Sequence, residues 1–101
     1  MKNIDAMQQF CEIFEPVFTN FDLIVDYSDS NGDYFNHVCK VLAPDKRSAV
    51  ITALDSIRNM GYTPYTITHI HGNHTEKELN AMRDDPRKAR GKVVELLYAD
   101  L

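Results

Sequence analysis

The stretch Leu23-Ile24-Val25-Asp26-Tyr27-Ser28-Asp29-Ser30-Asn31-Gly32-Asp33-Tyr34-Phe35-Asn36-His37-Val38-Cys39-Lys40-Val41-Leu42 decides the fold. Two runs rich in β-branched and aromatic residues flank Asn31-Gly32. That pair favours a two-residue type I′ turn, because both central residues must adopt positive φ. The expectation is a β-hairpin with strands 23–28 and 34–42. A two-residue loop sets Ser30 against Asp33, Tyr27 against Asn36, Asp26 against His37, Val25 against Val38 and Ile24 against Cys39. The expected core face carries Leu23, Val25, Tyr27, Tyr34, Val38 and Leu42. The other carries Ile24, Asp26, Phe35, His37, Cys39 and Val41, with Asp26 and His37 as a cross-strand pair.

Upstream of the hairpin, Ile4, Met7, Phe10, Cys11 and Phe14 recur at three and four residues, which predicts an amphipathic helix over 3–15 with Asn3 as its N-cap. Val17, Phe18 and Phe21 continue the stripe, and Pro16 kinks or restarts the helix. Downstream, residues 44–60 read as a second helix burying Val50, Ala53, Leu54, Ile57 and Met60, with Gly61 at the left-handed C-terminal position. Residues 62–71 read as a strand whose Pro64 belongs at an edge or an entrance. Thr75 and Glu78 form a capping box, so a third helix is expected over 76–83. Asp85-Pro86 interrupts it. Lys92 to Tyr98 fits helix or strand, and Gly91 with the Val93-Val94 pair favours strand.

The expected class is α+β: a small single-layer antiparallel sheet with helices packed on one face, in the order α-β-β-α-β-α-β. A circular permutation of the ferredoxin-like β-α-β-β-α-β sandwich has this order if the terminal strand fills the slot of the missing first one. With 101 residues and no repeat or linker, one domain over 1–101 is expected. Cys11 and Cys39 sit in no C-x-x-C pair and read as reduced packing residues. No leader pattern and no apolar run of about 18–20 residues occurs, so a cytoplasmic address without membrane association is expected.

Eleven Lys and Arg against fifteen Asp and Glu give a net charge of −4. The balance is uneven: residues 1–43 hold two basic and seven acidic side chains, net −5, and the remainder is net +1. Direct nucleic-acid binding is disfavoured by this balance. Its one foothold is the basic segment Arg83, Arg87, Lys88, Arg90 and Lys92.

The densest cluster of chemically active side chains is His69-Ile70-His71-Gly72-Asn73-His74. On a strand His69 and His71 share a face, and His74 could close a metal site; zinc is the ion such a set implies. His37 or Cys39 would join them if the third strand lay beside the second. The string resembles the H-x-H-x-D-H signature of the metallo-β-lactamase superfamily. It departs at Asn73, where that family has a carboxylate ligand, and no histidine follows His74. The hydrolytic activity that the resemblance implies therefore lacks its remaining ligands. Asp26 opposite His37 resembles part of a hydrolytic relay, yet no nucleophile elbow accompanies it. Asp29 to Asp33 lacks usable ligands at the first and last positions of a calcium loop.

These readings favour a small acidic protein–protein interaction module without catalysis or cofactor, such as an inhibitor or accessory factor of the phage or plasmid type. Its partner would present a basic surface, as nucleic-acid-handling proteins do. The expected contact surface is Asp22, Asp26, Asp29, Asp33 and Tyr34 around the hairpin tip. A homodimer that covers the exposed edge at 62–71 or the two-sided hairpin is compatible with the same pattern.

Overall fold

The computed structural model describes residues 17–99, and the helix expected over 3–15 lies outside them. The described order is β1 (Thr19–Ser28), β2 (Tyr34–Ala43), α1 (Lys46–Asn59), β3 (Thr63–His71), α2 (Glu76–Met82), β4 (Ala89–Arg90) and β5 (Glu95–Tyr98). The class is α+β, with two helices and a five-stranded mixed open sheet. Phe21 falls inside β1, so the strand starts before the point where the helical stripe was expected to end.

The hairpin forms, with its register one residue away from expectation. Val25 faces His37, Leu23 faces Cys39, and Asp26 faces Asn36, so no Asp26–His37 pair exists. The cause is the turn. Gly32 N donates to Asp29 O at 3.1 Å and Asp29 N donates to Asp33 O at 3.0 Å, which makes Ser30, Asn31 and Gly32 a three-residue loop. Only Gly32 takes positive φ, at 82°, whereas a type I′ turn would need Asn31 there as well. Asp29 Oδ1 accepts from Asn31 N and Asp33 N, both at 3.0 Å, and holds the wider loop. Because side chains alternate along a strand, one residue of slip exchanges the faces of β2. Phe35, His37, Cys39 and Val41 join Leu23, Val25 and Tyr27, while Tyr34, Val38 and Leu42 turn to the opposite side.

The α1 face is the main core. Phe21, Leu23, Val25, Tyr27, Cys39 and Val41 pack against Ala49, Ala53 and Ile57. The small Ala49 and Ala53 side chains let the helix lie close to the sheet, so its buried stripe turns away from Met60, which is 44 % exposed. Asp45 caps the start of α1 by accepting from Ser48 N at 2.7 Å. At the other end Gly61, with φ 87°, lets Gly61 N reach Arg58 O and Tyr62 N reach Ile57 O, a Schellman closure.

The second face is covered too, which corrects the expectation of helices on one side. Ile24 and Val38 are buried beneath Leu79 of α2, with Ile70 and Val94 at the margin. Leu23-Ile24-Val25 is continuous rather than alternating because β1 is apolar on both sides. The sheet is also not purely antiparallel. Its order is β3-β1-β2-β4, with β5 also on β2, and β4 and β5 run parallel to β2. A permuted ferredoxin-like sheet would set the terminal strand between β2 and β3. Here β3 pairs with β1 on the far side instead.

The last strand is broken by a change of register. Asn36 faces Arg90, but Cys39 faces Glu95, so two extra residues are absorbed between β4 and β5. Gly91 sits in this irregular stretch and donates to Asn36 O at 2.8 Å. A Cβ on Gly91 would lie 2.6 Å from Tyr27 Oη and 3.1 Å from Asn36 O. Gly91→Ala should therefore force Tyr27 and the β2–β4 seam apart. The expected cost is about 1–3 kcal/mol, read as a lower urea midpoint with an unchanged slope.

Candidate functional site

Three polar clusters stand out, and the first lies under α1 on the main core face. His37 and Cys39 are two residues apart on β2 and point the same way. Parallel pairing places Glu95 of β5 directly opposite Cys39. His37 Nε2 donates to Glu95 Oε2 at 2.9 Å, and Ser56 Oγ of α1 donates to the same oxygen at 3.0 Å. Cys39 Sγ lies 4.0 Å from it. One carboxylate oxygen of β5 thus gathers three side chains, two from β2 and one from α1. His37 and Cys39 are buried, and the Glu95 side chain is 18 % exposed.

The surroundings set the chemistry of this cluster. Burial, reinforced by the Glu95 charge, pushes the Cys39 thiol up to about 12. Near neutral pH it is a protonated thiol and a poor nucleophile. Burial pulls the His37 imidazole below its ordinary value, while the bond and charge of Glu95 pull the other way and lose.

The second cluster is centred on Asp22, which is fully buried on the α2 face. Its Oδ1 accepts from Lys40 Nζ at 3.2 Å. Its Oδ2 accepts from His74 N at 2.9 Å and His74 Nδ1 at 2.8 Å. Lys40 Nζ also donates to Asn73 Oδ1 at 3.2 Å. The loop from Gly72 to Thr75 is thereby tied to the centre of the sheet, in a turn opened by Gly72 at φ 110°.

This tie explains the fate of the histidine string. His69 and His71 do share a face, with ring centroids 5.7 Å apart, and His69 stacks obliquely on Phe21. His74 is drawn to the opposite face by Asp22, so the three imidazoles are not brought together. Neither do His37 and Cys39 reach His69, because β1 lies between β3 and β2 and Leu23 separates Cys39 from His69.

The third cluster is at the hairpin end. The β1–β3 ladder shifts register between Asp26 and Tyr27, pairing Asp26 with Thr66 and Tyr27 with Pro64, so Tyr65 is the bulged residue. A bulge re-aims its side chain. Tyr65 Oη donates to Ser28 Oγ at 3.0 Å, and its ring lies 5.4 Å from that of Tyr34. The two rings are 55 % and 53 % exposed. Asp33 is exposed beside them, and Asp29 is half-buried because it caps the turn.

The expected acidic surface is thus only partly present. Asp22 is internal, and Asp26 Oδ2 is engaged by Lys88 Nζ at 2.7 Å and Thr66 Oγ1 at 2.8 Å. The basic segment is partly engaged as well, with Arg90 and Lys92 still exposed. Arg83 is buried and donates to Lys92 O at 2.9 Å, Arg87 pairs with Asp85 at 3.1 Å, and Arg90 donates to Asn80 O at 3.2 Å. Sequence reasoning missed Glu95 and Tyr65. His37-x-Cys39 was a visible half of the first cluster, but the parallel pairing that delivers Glu95 has no local signal.

No protein-family model, no curated protein and no solved structure matches this chain.

Asp22→Ala should cost roughly 3–5 kcal/mol by leaving Lys40 uncompensated, and should release the backbone amide of His74 to fast hydrogen exchange. Stability should also fall with acid through His37. Its folded pKa lies below the unfolded value of about 6.5, so below that pH the unfolded chain takes up a proton that the native state refuses. The loss grows as pH falls from about 6.5 and levels off below the folded pKa. Thermal midpoints measured from pH 7.5 downward should fall less steeply in His37→Gln than in the wild type.

Proposed function

We propose that this chain is a small acidic protein-interaction module that docks through the hairpin end onto a basic partner surface, in the manner of an inhibitor or accessory factor. The observation that carries this reading is the exposed Tyr34–Tyr65 pair with Asp33 at its rim. Tyrosines are favoured interface anchors because they bring large contact area at low cost in side-chain entropy. Here that cost is lower still, since the bulge at Tyr65 and its bond to Ser28 hold one ring in place before any partner arrives. Preorganisation of this kind raises affinity without new contacts.

Charge supports the same direction. The chain carries a net charge of −4, and Asp33 and Asp29 lie at the hairpin tip. Rim carboxylates steer a basic partner and mainly affect the association rate at low salt. The contact surface is accordingly narrower than the sequence expectation: Tyr34, Tyr65, Asp33 and the outer edge of Asp29, without Asp22 and with Asp26 already paired to Lys88.

The full chain, immobilised and exposed to an extract of its source cells at low and high salt, tests this. Tyr34→Ala combined with Tyr65→Ala should reduce capture of the partner about tenfold or more, the loss of roughly 1.4 kcal/mol or above expected of anchor residues. Asp33→Lys should weaken capture at low salt and much less at high salt. Capture that survives both sets of substitutions unchanged removes this surface.

A further inference from the structure

We propose that His37, Cys39 and Glu95 form a zinc site at the seam between β2 and β5. Their ligand atoms all lie within 4.8 Å of one another. Imidazole, thiolate and carboxylate are the three side-chain classes that bind zinc, with bonds of about 2.0–2.3 Å. Tetrahedral geometry with such bonds separates the ligand atoms by roughly 3.3–3.8 Å. The distances to Glu95 Oε2 bracket that range, at 2.9 Å from His37 Nε2 and 4.0 Å from Cys39 Sγ. Side-chain adjustments of under about an ångström would seat the ion, and a water takes the fourth position.

The backbone supplies the second argument. With the register of β4 continued, Cys39 would face Val93, an ordinary apolar partner for a buried thiol. The two residues absorbed between β4 and β5 put Glu95 there instead. An irregularity that replaces valine by a carboxylate beneath α1 costs desolvation, which His37 Nε2 and Ser56 Oγ offset by donating to it in the metal-free cluster. The groove between α1 and β5, lined by Thr52, Ser56, Asn59 and Leu97 among others, meets the cluster at Ser56.

Binding balances simply. Cys39 releases its thiol proton to solvent and gives its sulfur electron pair to the ion. Neutral His37 moves its ring proton from Nε2 to Nδ1 and offers the Nε2 pair. Glu95 is already a carboxylate, so one proton leaves for each zinc bound. The raised thiol pKa is the condition of the metal-free cluster, and a divalent cation at hand inverts it.

Cobalt(II) is the probe, added to the chelator-treated full chain. The expected result is one equivalent bound, with a near-ultraviolet thiolate-to-cobalt charge-transfer band, and displacement of that band by zinc. Zinc at a hundredfold excess over its dissociation constant should also raise stability by about 2.7 kcal/mol. Cys39→Ser should abolish the band, and Cys11→Ser should keep it, which separates the two thiols of the chain. Glu95→Gln keeps the shape of the cluster and should weaken cobalt binding at least tenfold while the circular dichroism stays native. A folded wild type without the band, a band that persists in Cys39→Ser, or Glu95→Gln with undiminished affinity would overturn the proposal.

Discussion

Asp29 Oδ1 holds the amides of Asn31 and Asp33, and this small cap stabilises the turn that fixes the register of the β1–β2 ladder. Everything else in the sheet is placed relative to that ladder. β3 is laid on one side of β1, and β4 and β5 on one side of β2. Had the loop closed over two residues, Val38 would have faced α1, and His37 and Cys39 would have faced α2. The three-residue loop sends His37 and Cys39 under α1 and leaves Val38 for Leu79.

Covering both faces has consequences for polar chemistry. A sheet packed on one side can turn its charged residues to water, whereas this one carries Asp22 fully buried on its second face. A buried carboxylate must find partners, and it finds them in Lys40 and in the backbone and ring of His74. The same requirement consumes Asp26, which takes Lys88 from the basic segment. Charges that look free in the sequence are spent inside the fold. Asp33 remains exposed at the hairpin end, with Tyr34 and Tyr65.

Much of the local architecture was legible. Thr75 caps α2 through Glu78 N, as the capping box implied, and Gly61 closes α1 with positive φ. Pro64 lies near the start of β3, which pairs on one side only among the described residues. The hairpin itself was legible from Asn31-Gly32, but its loop length was not. Asn-Gly suits a type I′ turn and also the glycine position of a three-residue loop, and the carboxylate of Asp29 tips the balance. The grouping of the histidines was not legible, because alternation along β3 says nothing about where a side chain beyond Gly72 will be pulled.

The elements whose causes are local were set by the sequence: runs rich in β-branched and aromatic residues for β1, β2 and β3, an amphipathic run with capping residues for α1, and a capping box for α2. These depend on backbone sterics and on hydrogen bonds within a few residues. Tertiary structure alone decided which strand pairs with which, that the last strand runs parallel to β2, and that its register shifts to set Glu95 against Cys39. Those outcomes depend on burial of apolar faces between segments more than fifty residues apart. No local pattern encodes that distance, and so the side chains gathered at the β2–β5 seam become a group only when the sheet is assembled.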